Sequence, residues 1–248
     1  PNYERDYKTG KYIITNNFKN ATQNTDDAHK ALLPRMWSNE HNVNYMTFGE
    51  PLEFRINPEY SHEDELVQIV TDFRKAYATG DVDLKGYDKF LKTYGEYLIV
   101  DKPSFATNMK FMFQYQFGYM YMRYLLWNFV GKQNDEQGKY EDLKGNWISG
   151  IDVIDEFFIG SQKNLPSDIA NNKARNIYFG IPFILALIGL VFHAKRDIKS
   201  FYVLLVLFLF TGLALKIYLN ERPFEPRERD YALVGSFYVF AMWIAFGI

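Results

Sequence analysis

The polar and apolar positions of this chain are unevenly spread. Charge is concentrated in the first 176 residues or so, and the last 70 or so are mostly apolar. Three runs stand out: residues 177–193 (IYFGIPFILALIGLVFH), 201–219 (FYVLLVLFLFTGLALKIYL) and 231–248 (YALVGSFYVFAMWIAFGI). Each is 17–19 residues long, in the lower part of the range needed to cross roughly 30 Å of hydrocarbon. The pattern predicts three membrane-spanning helices. Lys216 lies close enough to the end of the second run to snorkel. Tyr178, Tyr202, Tyr218 and Tyr231 lie near the ends, where amphipathic rings favour an interface. The competing reading is a set of buried core helices, but three long apolar runs are hard to bury in a domain of this size. The turn HAKRDIKS carries Lys195, Arg196 and Lys199 against Asp197. That bias places the turn inside, and residues 1–176 and 220–230 outside.

The polar part predicts short strands and two amphipathic helices. KYIIT (11–15) and LEFRI (52–56) have strand composition, and NNFKNATQNTDD between them reads as loop. Ser61 reads as an N-cap followed by Glu63, Asp64 and Glu65 in the first turn. Leu66, Ile69, Val70, Phe73 and Tyr77 then recur at helical spacing. A second helix is predicted from Lys85 to Ile99, stopped by Pro103. Phe105 to Val130 is aromatic nearly all round, with only Lys110 and Arg123 charged. Such a helix is either deeply buried or pressed into a membrane interface, and interface or partial insertion is the preferred expectation. The expected division is an α+β region over 1–104, an aromatic interfacial helix and polar loop over 105–176, and transmembrane helices over 177–248.

Composition narrows the function classes. The 28 basic and 30 acidic residues leave a net charge of −2, which argues against nucleic acid as a partner. The mean hydropathy of −0.27 conceals the apolar end. With no cysteine, disulfides, thiolate metal sites and cysteine nucleophiles are excluded. The chain starts at Pro1 and stops at Ile248 inside an apolar run, and it reads as an internal piece of a longer polypeptide.

Most local motifs fail on inspection. Asp81-Val-Asp83-Leu-Lys85-Gly86 opens like a calcium loop, but Lys85 and Lys92 stand where it needs oxygen ligands. The acids at 63–65, beside His62, fit a helix N-terminus better than a metal site, so no metal is expected. Two clusters carry more. The first joins Trp127, Asn128, Gln133, Asn134 and Asp135 to the glycine-flanked Asn146-Trp147. Amides and carboxylates bond sugar hydroxyls, and tryptophan rings stack on pyranose faces; an ordinary loop around a buried tryptophan stands at even odds. The second cluster, Glu221 to Tyr231, holds seven charges and two prolines. Its arginines suit phosphate oxygens, with carboxylates holding the guanidinium forks in place, and a solvated ion-pair loop is the competing reading.

WNFVGKQNDEQG (127–138), GNWISGI (145–151), ERPFEPRERDYALVGSFY (221–238) and LPRMWS (33–38) followed by His41 together resemble a bacterial family of multi-spanning membrane proteins. That family, formerly of unknown function, is similar to protein O-mannosyltransferase-like enzymes of the GT-C superfamily. The resemblance implies a mainly α-helical, GT-C-like integral membrane protein with an α+β extracytoplasmic region. It implies multi-pass insertion in the bacterial inner membrane, with 1–176 and 220–230 on the periplasmic side. The implied reaction moves a sugar such as mannose from a polyprenyl-phosphate donor to a protein or glycan acceptor, with no covalent cofactor and the divalent-metal requirement open. Arg222, Arg227 and Arg229 would bind donor phosphate. Glu225 and Asp135 would assist acid–base work, and Asn128, Gln133, Asn134 and Trp147 would shape the sugar or acceptor site. The main catalytic carboxylate would lie in a loop before Pro1. Membrane lipid and envelope-complex subunits are the further expected partners. The alternative is a non-catalytic envelope scaffold or transport partner.

Overall fold

The structure, a computed structural model, describes residues 2–16, 41–225 and 230–248. The chain divides into two units, Pro1–Pro34 and Arg35–Ile248. In the first unit, β1 (Asn2–Arg5) and β2 (Tyr12–Asn16) form an antiparallel hairpin. Its turn closes on the Asp6 carboxylate, which accepts bonds from the Lys8 amide at 2.9 Å and the Thr9 hydroxyl at 2.6 Å. The strand expected at KYIIT is β2.

The second unit begins with a small α/β core. It contains α1 (Asn42–Met46), β3 (Phe54–Ile56), α2 (Asp64–Thr79), α3 (Leu84–Thr93) and β4 (Leu98–Val100). β3 and β4 pair antiparallel, with Phe54 opposite Val100. Leu52, Phe54, Leu66, Val70, Tyr87 and Leu91 fill the space between strands and helices. Two boundaries differ from those the spacing predicts. Ser61 belongs to a preceding 3₁₀ turn, bonding the Pro58 carbonyl, and Glu63 takes the N-cap position of α2. The second helix stops at Thr93, and Leu98 and Ile99 join β4 instead, because a partner strand is available to them.

A long helix follows. α4 (Phe105–Phe111) passes through a π-helical segment, Met112–Met122, into α5 (Arg123–Phe129). Ser104 caps its start, accepting from the Thr107 amide at 3.1 Å. Phe111, Tyr115, Gln116, Tyr119, Tyr121, Arg123 and Leu125 are buried along it, so the helix contributes to the cores on either side. β5 (Gly131–Lys132) pairs with β6 (Asn176–Ile177), bracketing the short helices α6 (Asp152–Ile159) and α7 (Ser167–Ala170).

The apolar end is three helical rods. They are α8 (Ile181–Arg196), a rod made of α9 (Ile198–Leu209), a π-helical segment Phe210–Ala214 and α10 (Leu215–Leu219), and finally α11 (Val234–Phe246). Ala186, Tyr121, Leu125, Val239, Phe240 and Trp243 form their common core.

These rods overturn the multi-spanning expectation. Among the described residues, one helix, Ile198–Leu219, is long and apolar enough to cross a membrane. The run at 177–193 counted residues that are not helical. Ile177 belongs to β6, and Phe179 and Gly180 have positive φ (52° and 66°), breaking the chain before α8 begins. The last four residues of α8 are His193, Ala194, Lys195 and Arg196, so its apolar stretch is shorter still. The run at 231–248 opens with a 3₁₀ turn, and its α-helix is 13 residues. The architecture is a mixed α and β one, with three two-stranded sheets among the described residues. It is not the GT-C-like multi-spanning fold, and the inner-membrane, multi-pass localisation with 1–176 and 220–230 outside falls with it.

Lys216 also departs from expectation. Its ammonium does not snorkel but is buried, 2.6 Å from the Glu221 carboxylate, with both side chains 4–5% exposed.

Candidate functional site

The polar loop after α5 is folded back on the aromatic helix by side chains that the helix supplies. Arg123 turns inward: its Nε donates to the Tyr119 carbonyl at 3.0 Å, its guanidinium lies 4.5 Å over the Tyr119 ring, and its Nη1 donates to the Gly145 carbonyl. The Tyr119 hydroxyl accepts from the Tyr140 amide at 2.8 Å. Gly145 has φ +67°, and a Cβ there would stand 2.3 Å from the Gly138 nitrogen, so the two strands of the loop touch backbone to backbone.

Gln133 and Asn134 knit this loop internally. The Gln133 amide accepts from the Asn146 amide N–H and side chain and donates to the Asp142 carbonyl at 2.8 Å. Asn134 donates to the Leu143 carbonyl and accepts from Gly145, while its carbonyl accepts from the Trp127 indole at 3.1 Å. Both side chains are fully buried, and their hydrogen-bonding capacity is consumed in shaping the loop. Asn128 donates to the Tyr124 carbonyl one turn back. Asp135 is exposed and lines neither the cleft that Trp147 enters nor the small cavity beside Arg222.

The GNWISGI turn is held from below by Asp155. Its carboxylate accepts from the Ser149 amide at 2.6 Å, the Ser149 hydroxyl at 2.8 Å and the Gly150 amide at 2.9 Å. This turn carries Trp147 into an open cleft of about 430 Å³, whose walls include Tyr140, Phe158, Asn146, Glu141, Asp142 and Arg123. The Trp147 and Phe158 rings are 5.2 Å apart. Of the residues expected to shape a sugar site, Trp147 lines this cleft; Asn128, Gln133 and Asn134 do not. Tyr140, Glu141, Asp142 and Phe158 were not anticipated. Asn146 sits in the motif that pointed to Trp147, but nothing in the spacing signals Phe158, which arrives from α6.

The second cluster packs behind the first. The Tyr115 hydroxyl donates to the Arg222 carbonyl at 3.1 Å, Gln116 bonds the Asn220 side chain at 3.1 Å, and Gln137 donates to the Glu225 carbonyl. Arg222 Nη1 lies 3.2 Å from His41 Nε2. Arg222, Glu225 and Gln137 surround a cavity of about 10 Å³, room for roughly one water. Tyr119 lines both this cavity and the Trp147 cleft. Arg227 and Arg229, with Glu228 and the segment 33–38, lie outside the described residues. Among the described residues no three His, Asp or Glu side chains converge as a metal site. Beside the cleft, the hydrogen bond from Lys144 to Glu136 holds its ammonium pKa above the ordinary value.

Residues 1–113 match a family of unknown function, DUF8416. No curated protein and no solved structure matches the chain.

Proposed function

We propose that the chain binds a saccharide in the Trp147 cleft, as the sugar or acceptor subsite of a glycosyl-transfer reaction from a lipid-linked donor. One observation carries this reading: an indole, two phenols and a phenyl ring line the same open cleft as two amides and two carboxylates. A pyranose offers apolar C–H faces to rings and hydroxyls to amides and carboxylates, and a concave site with few placed polar groups is what such a ligand needs. An inverting transfer also needs a carboxylate to take the acceptor hydroxyl proton. Glu141 and Asp142 line the cleft, so they replace Asp135 and Glu225 as the candidates for that role. Arg222 remains the candidate contact for a donor phosphate, in the cavity that shares Tyr119 with the cleft.

The test is titration of the whole chain with mono- and disaccharides of mannose, glucose and N-acetylglucosamine, followed by ligand-observed NMR. Saturable binding of at least one sugar is expected, weakened about tenfold or more by Trp147→Ala, since ring stacking is worth on the order of 1 kcal/mol or more. Equal binding by the wild type and Trp147→Ala would sink the assignment.

A second reading, a non-catalytic partner-binding protein, draws on α6. Val153 and Phe157 there are 79% and 82% exposed, an uncommon placement for such side chains in a short helix. It becomes the better account if the saccharide panel shows no saturable binding.

A further inference from the structure

The α/β core holds a second cleft, separate from the Trp147 site, with a volume of about 470 Å³. Phe54, Phe73, Tyr77 and Tyr87 form its aromatic lining, and Glu53 and Arg74 bring opposite charges to it. All of these residues fall inside the stretch matched by the DUF8416 family, which ends before Gln114, Trp147 and the rest of the other cleft.

The two charges are set differently from their neighbours. Arg74 is anchored from one side: its Nη2 donates to the Phe54 carbonyl at 2.8 Å, and its guanidinium lies 5.1 Å over the Phe54 ring. Its other N–H groups have no partner among the described residues, and a guanidinium fixed in this way keeps a planar fork available for a carboxylate. Glu50, also at the cleft, is answered by Lys110 at 3.2 Å. The Glu53 carboxylate has no ion pair among the described residues. Both charges reach the same phenol. Burial first, then the Glu53 carboxylate, push the Tyr87 hydroxyl up to about 12, with Arg74 opposing them. The cleft therefore pairs one carboxylate and one pre-positioned guanidinium around a common aromatic floor.

We propose that this cleft binds a short zwitterionic peptide of about two or three residues with an apolar side chain. Arg74 takes the peptide's terminal carboxylate, Glu53 takes its ammonium, and the Phe73 and Tyr77 rings receive the side chain. A simple cation or anion would meet the like charge of Arg74 or Glu53, whereas a ligand with both charges answers each. The site does not rest on the saccharide reading, and either can fail alone.

Isothermal titration of the full chain with the dipeptide Ala-Phe tests it, alongside its N-acetylated and C-amidated forms. Ala-Phe is expected to bind saturably, and blocking either end to weaken it about tenfold, the scale of one charge-assisted contact. Glu53→Gln should abolish the difference between free and acetylated peptide while keeping the difference on amidation. Arg74→Lys, which loses the fork but keeps the charge, should weaken free Ala-Phe about fivefold or more. If Arg74→Lys proves unfolded by circular dichroism, Glu53→Gln still decides, because its carboxylate holds no ion pair among the described residues. Equal affinity for free and blocked peptides, or no saturable binding at millimolar concentrations, overturns the proposal.

Discussion

Residues 42–100 and residues 181–246 each enclose an apolar core, but they meet their surroundings in opposite ways. In the first, the helices are amphipathic: α2 buries Leu66 and Val70 and turns its charged residues outward. In the second, apolar side chains face both ways. Ile184, Leu187, Ile188 and Val191 on α8, and Val203, Val206 and Phe210 on the central rod, are exposed. The contrast extends to polar groups. The Asp88–Lys92 pair of the first region and the Lys216–Glu221 pair of the second are both 2.6 Å long. Lys92 is 54% exposed, whereas Lys216 is 4% exposed. Side-chain hydrophobicity tells little about which helices contact which; the placement of small residues and buried charges tells more.

The largest effect should come from the buried pair. Glu221→Ala leaves the Lys216 ammonium buried opposite an apolar methyl, and removing one member of such a pair destabilises by about 3–5 kcal/mol. The penalty arises from the uncompensated charge, so Lys216→Met combined with Glu221→Leu should recover most of the loss. Denaturant unfolding of the single and double variants measures both. A loss under about 1 kcal/mol for Glu221→Ala would show that the pair is solvated and that the two regions do not differ in this respect.

The next effect concerns how the rods approach. A Cβ on Gly189 would sit 1.8 Å from the Trp243 carbonyl oxygen, so α8 and α11 are in contact backbone to backbone. Gly189→Ala must force them apart, disturbing the fully buried Trp243 and its indole bond to His193 at 3.3 Å. About 2–3 kcal/mol of destabilisation is expected, the range for overpacking a tight site. Near-UV circular dichroism should register the change in the Trp243 environment. Unchanged stability would mean that the rods are held elsewhere.

The two regions also show what the sequence could and could not reveal. Helical spacing located α2 well, because Leu66, Val70 and Phe73 repeat on one face and Gly80 closes the helix at φ +85°. Apolar run length misjudged the second region. Counting residues 177–180 as helix missed the backbone turn at Phe179 and Gly180, which depends on a strand pairing with Gly131 nearly fifty positions away. Lys216 read as a snorkelling cation because its partner follows the end of its helix, and the left-handed Asn220 (φ +47°) before Glu221 carries no signal of its own. In the Trp147 cleft the motif located one wall. The buried amides of Gln133 and Asn134 looked like ligand contacts because a side chain's type does not say whether its hydrogen bonds are already taken within the loop.

The smallest effect is the one that sharpens the comparison. Lys92→Ala breaks an ion pair as short as the buried one, yet the loss should stay below about 0.5 kcal/mol, the usual worth of an exposed helical i,i+4 pair. Two features keep it small. Lys92 is more than half exposed, so its ammonium is solvated with or without Asp88. Asp88 in turn keeps a second donor, the Asn42 side-chain amide at 2.8 Å, so its carboxylate is not left bare when the lysine is removed. The residual effect should shrink further in high salt, because an exposed pair is screened where a buried one is not. Urea midpoints of wild type and Lys92→Ala at low and high salt measure this directly. If Lys92→Ala instead costs as much as Glu221→Ala, then distance rather than burial sets the strength of the two pairs, and the distinction between the two regions is lost.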